Sequence, residues 1–183
     1  MGRRPLPPSP SRCASYGECV DEPDAVDLIL DQWRRERPDL DTSPMGVVGR
    51  IHRVGARLDA LLRPVFRDHG LGDGEFDVLA TLRRSGPGTP LTPTELTASM
   101  MVTSGAASKR IDRLERAGLV RRTPSKDDGR VRLVSLTAAG LRLVDEAVAQ
   151  HVANEARLLT GLDAEERDTL ATLLRKLGQA LPD

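Results

Sequence analysis

Aromatic residues are nearly missing from this chain, with one tryptophan, one tyrosine and two phenylalanines among 183 residues. Sandwich and barrel cores draw on aromatic and β-branched strands, so leucine, valine, isoleucine and alanine on helices must build this core. Cysteine is as scarce: Cys13 and Cys19 stand alone, in a proline-rich beginning. A chain of this length buries enough core to need no disulfide. The three histidines, His52, His69 and His151, are scattered without ligand spacing, so no metal site and no cofactor are expected. No apolar run reaches the roughly 18 residues of a membrane span. Arg3 and Arg4 lead into prolines, not into the apolar stretch of a signal peptide, which predicts a cytoplasmic protein with no membrane partner. The signatures of enzymes are missing too: no G-x-S-x-G elbow, P-loop or H-E-x-x-H is present, and no catalytic residue is assigned.

Nor is there any net charge, since 27 basic residues balance 27 acidic ones. Taken whole, that balance argues against a nucleic-acid partner. Its distribution reverses the argument. Between Thr103 and Arg132 nine basic residues stand against four acidic ones, while eight acids crowd between Asp21 and Asp41.

What the chain does have is clear helical punctuation. Leu91 to Leu136 reads as two short helices, a glycine stop and a two-stranded hairpin. Thr92 caps the first helix, Pro93 suits its first turn, and Glu95 stands three residues beyond the cap, the spacing of a capping box. The second opens at Thr103 or Ser104 and is closed by Gly118, a residue type that tolerates the left-handed turn at a helix end. Ala107, Ile111 and Leu114 fall at i, i+4 and i+7 and share one buried face, leaving Ser104, Ser108, Lys109, Asp112, Arg113 and Arg116 for solvent or a ligand. Asp128, Gly129 and Arg130 form the hairpin tip. Two short helices followed by a basic ribbon predict a winged helix-turn-helix.

Around this unit, residues 1–23 hold five prolines among serines and read as a disordered tail. Asp24 caps a helix to Arg37 with Val26, Ile29, Leu30 and Trp33 on one stripe. Ser43-Pro44 opens a longer helix whose stripe runs from Met45 to Val65, and Pro64 is expected to kink it or mark its last turn. A third helix, from Asp73 or Gly74 to Arg84, turns Phe76, Leu79, Ala80 and Leu82 inward. Thr137 caps a long helix with Leu141, Val144, Val148 and Val152 in its stripe. Asp163 with Glu166 opens a last helix carrying Leu170, Leu173, Leu174 and Leu177. A second copy of the chain is the simplest cover for these outer stripes, the plainer alternative being their own subunit. The expected organisation is mainly α: a tail over 1–23, an extra helix and first dimerisation helix over 24–70, a winged helix-turn-helix with a two-stranded β wing over 71–137, and C-terminal dimerisation helices over 138–183.

Three segments carry a resemblance. MVTSGAASKRIDRLERAGLVRR (Met101 to Arg122) is similar to the recognition helix and first wing strand of MarR-family winged-helix transcription factors. DDGRVRLVSLTAAG (Asp127 to Gly140) resembles their wing, and GEFDVLATLRRSG (Gly74 to Gly86) their preceding helix. The likeness runs from Ser43 to Leu181, and the stretch from Asp31 to Arg53, with the extra helix that carries Trp33, resembles the subgroup that responds to urate or related small organic anions and adds an N-terminal helix bearing a tryptophan. The resemblance implies a homodimeric regulator, most simply a repressor, that binds a roughly palindromic double-stranded operator and is released by a small organic anion such as urate or a di- or tricarboxylate. It assigns that anion to Trp33, Asp77, Arg110 and Arg122.

Sequence readout needs donors at the start of a helix lying in the major groove, where base edges differ from pair to pair. Thr103, Ser104, Ser108, Lys109 and Arg113 suit base or phosphate contact, although the first two also suit plain capping and the cations a solvated face. Arg130 at a hairpin tip suits a minor groove, whose negative potential favours guanidinium. Asp128 is expected to pair with Arg130 and orient it, as the resemblance implies, or to serve the turn alone. Asp77 in a mostly apolar helix needs a cation or a hydrogen-bond donor, which an arginine of the recognition region could supply. An anion competing for that arginine would push Asp77 away and move the recognition helix; a static salt bridge is the plainer reading. Trp33 also suits a core position. Two further readings stay open: a redox sensor using Cys13 and Cys19, since oxidant-sensing members of the family use an N-terminal cysteine, and a ligand-independent architectural DNA-binding protein.

Overall fold

The computed structural model describes residues 22–72, 74–86, 88–101, 107–125 and 128–182. The tail with Cys13 and Cys19, and the helix opening at Thr103 and Ser104, lie outside them. The chain divides into two compact units, Met1–Arg57 and Leu58–Asp183.

In the first unit α1 (Ala25–Glu36) opens on Asp24, whose carboxylate accepts the backbone N–H groups of Val26 at 2.7 Å and Asp27 at 3.0 Å. The Asp27 carboxylate in turn accepts the Asp24 N–H at 2.9 Å, so the cap is a reciprocal box closed by aspartate instead of the usual glutamate. Helix α2 (Ser43–Asp68) begins in this unit and belongs to the second from Leu58 onward, running through Pro64 and ending one turn later. Val26 and Leu30 settle on the glycine floor of α2, with the Leu30 side chain 3.3 Å from where a Cβ on Gly46 would stand. Arg50 ties the two helices by reaching both Asp24 at 3.0 Å and Asp27 at 2.7 Å. The expected stripe of α2 is otherwise open to solvent at Met45, Val48, Ile51 and Val54.

The second unit holds the core. Helix α3 (Glu75–Arg84) is its axis, followed by α4 (Pro93–Ser99), α5 (Ala107–Arg116), strands β1 (Val120–Pro124) and β2 (Arg132–Leu136), α6 (Ala138–Leu158) and α7 (Ala164–Ala180). Val78, Leu79 and Leu82 of α3, Leu96 of α4, Ile111 and Leu114 of α5, Val120, Val134 and Val144 make one buried cluster. Thr92 and Glu95 form the capping box expected of them, and Ala107, Ile111 and Leu114 are the buried face of α5. Gly118 adopts φ +70°, the left-handed turn that ends α5 and sends the chain into β1. The wing is an antiparallel pair in the register Val120↔Leu136 to Pro124↔Arg132, and Leu91 adds a single bridge to Val134. This is a mainly α winged helix-turn-helix with long helices at both ends.

One expectation about a face changes, and one stripe is left uncovered by the second unit. In α3 the fully covered positions include Val78 and Thr81, while Phe76 and Ala80 are only half-buried; the Thr81 hydroxyl goes inside because it donates to the Asp77 carbonyl at 2.7 Å. In α7 no residue is buried: Leu170, Leu173, Leu174 and Leu177 all face out. No helix among the described residues is long and apolar enough to cross a membrane.

Candidate nucleic-acid interface and adjoining cavity

Helix α5 buries one face and offers the other. Ser108, Lys109, Asp112, Arg113 and Arg116 are exposed, and the tip of the wing exposes Asp128 and Arg130. The expected donors Ser108, Lys109, Arg113 and Arg130 are therefore all displayed, with Thr103 and Ser104 outside the described residues. Two details differ from expectation. The carboxylate of Asp128 accepts the backbone N–H of Arg130 at 2.9 Å and not its guanidinium, so it shapes the tip and leaves the side chain to point outward. Arg113 is only half-exposed, and its Nε donates to the buried carboxylate of Glu75 at 2.6 Å.

Of the residues assigned to an anion, the second unit brings two together. Asp77 and Arg110 line one cavity of about 440 Å³ in the second unit. Arg122 does not join them: from β1 it reaches back to Asp112 and Glu115 of α5, at 2.6 Å each. Burial disfavours its charge, but the two carboxylates more than offset that and raise its pKa. Arg122 thereby ties the wing to α5. Trp33 stands on α1 in the first unit, 39% exposed.

Asp77 is 8% exposed and its carboxylate accepts the backbone N–H of Met101 at 3.2 Å, on the chain that leads toward α5. Arg84 stands 3.9 Å from the same oxygen and donates to the Ser99 carbonyl, so α3 grips the end of α4 as well. Arg110 lies across Gly74, the N-cap of α3, whose φ of +70° only glycine adopts readily. A Cβ at Gly74 would stand 2.5 Å from Arg110 Nε, inside contact distance.

The opposite wall was not expected from sequence. Phe66 stacks on Phe76 with centroids 4.4 Å apart, and His151 packs against both rings at 5.1 and 4.9 Å. His151 Nε2 stands 3.2 Å from Glu155, while its Nδ1 is buried and finds no hydrogen-bond partner among the described residues. Scarcity was the available signal, since this wall holds both of the chain's phenylalanines. Arg63, paired with Asp59 at 2.8 Å, adds a second cation to the lining. A cavity with a flat apolar wall, two arginines and a carboxylate can take a small anion.

The residues from 69 to 131 match the model of the MarR family. Over 156 residues the chain is 40% identical to the HTH-type transcriptional regulator PecS of Dickeya dadantii, covering 85% of this chain and 94% of that one. The chain belongs to the MarR family. Its structure resembles a mutant MarR of Escherichia coli complexed with operator DNA, with a TM-score of 0.63 and 30% identity over 82% of this chain and 98% of that one. It also resembles Bordetella bronchiseptica BpsR, whose DNA binding is regulated by 6-hydroxynicotinic acid, with a TM-score of 0.66 and 27% identity over 74% and 94% of the two chains. This MarR-family chain is thus a DNA-binding transcriptional regulator and not an enzyme.

Proposed function

We propose that the chain is a repressor that binds a roughly palindromic operator as a homodimer in the cytoplasm and releases it when a small organic anion enters the cavity beside Asp77 and Arg110. One observation carries the reading. The carboxylate that lines the cavity also holds the Met101 N–H at 3.2 Å, so an anion drawn to Arg110 repels the group that fixes the approach to α5. The exposed leucine row of α7 supports the dimer, because an unpartnered stripe of that kind is a surface for association. The relative regulated by 6-hydroxynicotinic acid supports an organic acid as the class of effector. Arg122 leaves the proposed anion site, and Trp33 is tested on its own by Trp33→Ala.

The experiment titrates urate, citrate, succinate and 6-hydroxynicotinic acid into a mobility assay with a duplex that the protein itself selects from a random library. At least one acid should release the wild type, and Asp77→Ala and Arg110→Ala should blunt that release. If none does, or if both variants respond like wild type, the proposal fails.

A further inference from the structure

Glu75 has no role in any reading above, yet its carboxylate is buried and held by two partners. It is the first residue of α3, where an acid meets the positive end of the helix dipole, and it is 7% exposed. Its Oε2 accepts the Gly72 N–H at 2.7 Å and its Oε1 accepts Arg113 Nε at 2.6 Å. A buried carboxylate survives in that state only with such partners.

The partner is the point. Arg113 lies on the displayed face of α5, one turn after Lys109, with half of its side chain exposed. A guanidinium offers five N–H donors in a rigid fork, and Glu75 takes the one nearest the stem. The two terminal nitrogens lie at the far end of the fork, the end suited to paired bonds with phosphate oxygens. A free arginine loses rotamer freedom when it takes up that pose; one already pinned at Nε has lost much of it beforehand.

We infer that Glu75 is a positioning residue for DNA binding: it acts through Arg113, holding the guanidinium aimed at a backbone phosphate. It touches no DNA itself. This rests on the regulator identity of the chain and not on the anion proposal, so the two stand or fall apart.

The test measures affinity for a fluorescein-labelled duplex selected by the wild type, by anisotropy between 50 and 200 mM salt, for wild type, Glu75→Gln, Arg113→Ala and the double variant. Because each neutralised phosphate contributes about 0.9 to the slope of log affinity against log salt, Arg113→Ala should reduce the slope by about 1 per recognition helix engaged. Glu75→Gln should weaken binding about 5-fold when Arg113 is present and not at all when it is absent, since a residue acting through another shows full coupling to it. A merely structural ion pair leaves the salt slope unchanged in every variant, and an effect of Glu75→Gln that persists without Arg113 means that Glu75 does not act through it. Either result overturns the inference. If Arg113→Ala proves unfolded by circular dichroism, Arg113→Lys takes its place: it keeps the charge without the fork, so it should keep the slope, weaken binding and abolish the effect of Glu75→Gln.

Discussion

Gly74→Ala should give a regulator that folds but holds DNA poorly. The cost of the change has two parts that the structure separates. A non-glycine residue at φ +70° costs about 1–2 kcal/mol. The added Cβ also lands 2.5 Å from Arg110 Nε, but the far end of a long side chain can swing aside, so this clash adds little to the stability cost. For a chain of this size each kcal/mol moves Tm by about 2–4 °C, which places the expected loss at about 2–8 °C. Gly70→Ala is the matched control, because Gly70 has φ +71° and nothing within 4 Å of its would-be Cβ. Both variants should therefore melt alike, while Gly74→Ala alone displaces Arg110 from the top of α3 and weakens binding to a selected duplex by about tenfold, the equivalent of 1.4 kcal/mol at the DNA. Differential scanning fluorimetry and fluorescence anisotropy on the two proteins decide it. If Gly74→Ala melts like Gly70→Ala and also binds DNA like it, the seat of Arg110 on Gly74 has no bearing on the recognition helix, and the coupling argument is wrong.

Three other outcomes are expected. Leu114→Ala empties a site that is 1% exposed and should cost about 2–5 kcal/mol in urea unfolding; a loss below about 1 kcal/mol would show that the core under α5 is not the packed one described. Glu95 accepts the backbone N–H and the hydroxyl of Thr92, which together hold its carboxyl below its ordinary 4.5. That stabilisation is present above pH 4.5 and lost as pH falls through the lowered folded value, so Glu95→Gln should flatten the acid arm of a Tm–pH curve, and an unchanged arm refutes the cap. Leu173→Glu with Leu177→Glu places charge on the exposed α7 stripe and should shift the sedimenting species from dimer to monomer, whereas a dimer that persists would place the subunit contact elsewhere.

Most of the fold was legible because its signals are local. Thr92 with Glu95, Asp163 with Glu166, and Gly118 after Arg116 are capping and termination chemistry written within four residues, and each does what its spacing predicts. The α5 face of Ala107, Ile111 and Leu114 follows from periodicity alone. The site was legible only where one residue decided it. Asp77 stood out as an acid in an apolar helix, and one of its partners is a backbone N–H of the next loop, which no pattern of side chains announces. Arg110 and Arg122 look alike in sequence, twelve positions apart, and the pairing of Arg122 with Asp112 and Glu115 depends on how β1 turns back on α5. Glu75 and Arg113 are 38 residues apart, and no spacing rule links them.

Buried charge is costly unless paired, and this chain sets two acids on a single turn at the start of α3. Glu75 and Asp77 are both under a tenth exposed, and both have partners in α5 or on the chain leading to it. Apolar residues there would have added to the core. Helix α5 is also held from beneath by Ala107, Ile111 and Leu114, contacts sealed from any small solute. The two kinds of attachment respond to different perturbations: an anion competes with carboxylates for arginine, but nothing in solution competes with a leucine for its core. A helix held in this way can lose its register at the polar turn while keeping its apolar seat, so release of DNA need not unfold anything. Gly74→Ala and Leu114→Ala should therefore separate, the first costing affinity more than stability and the second stability more than affinity.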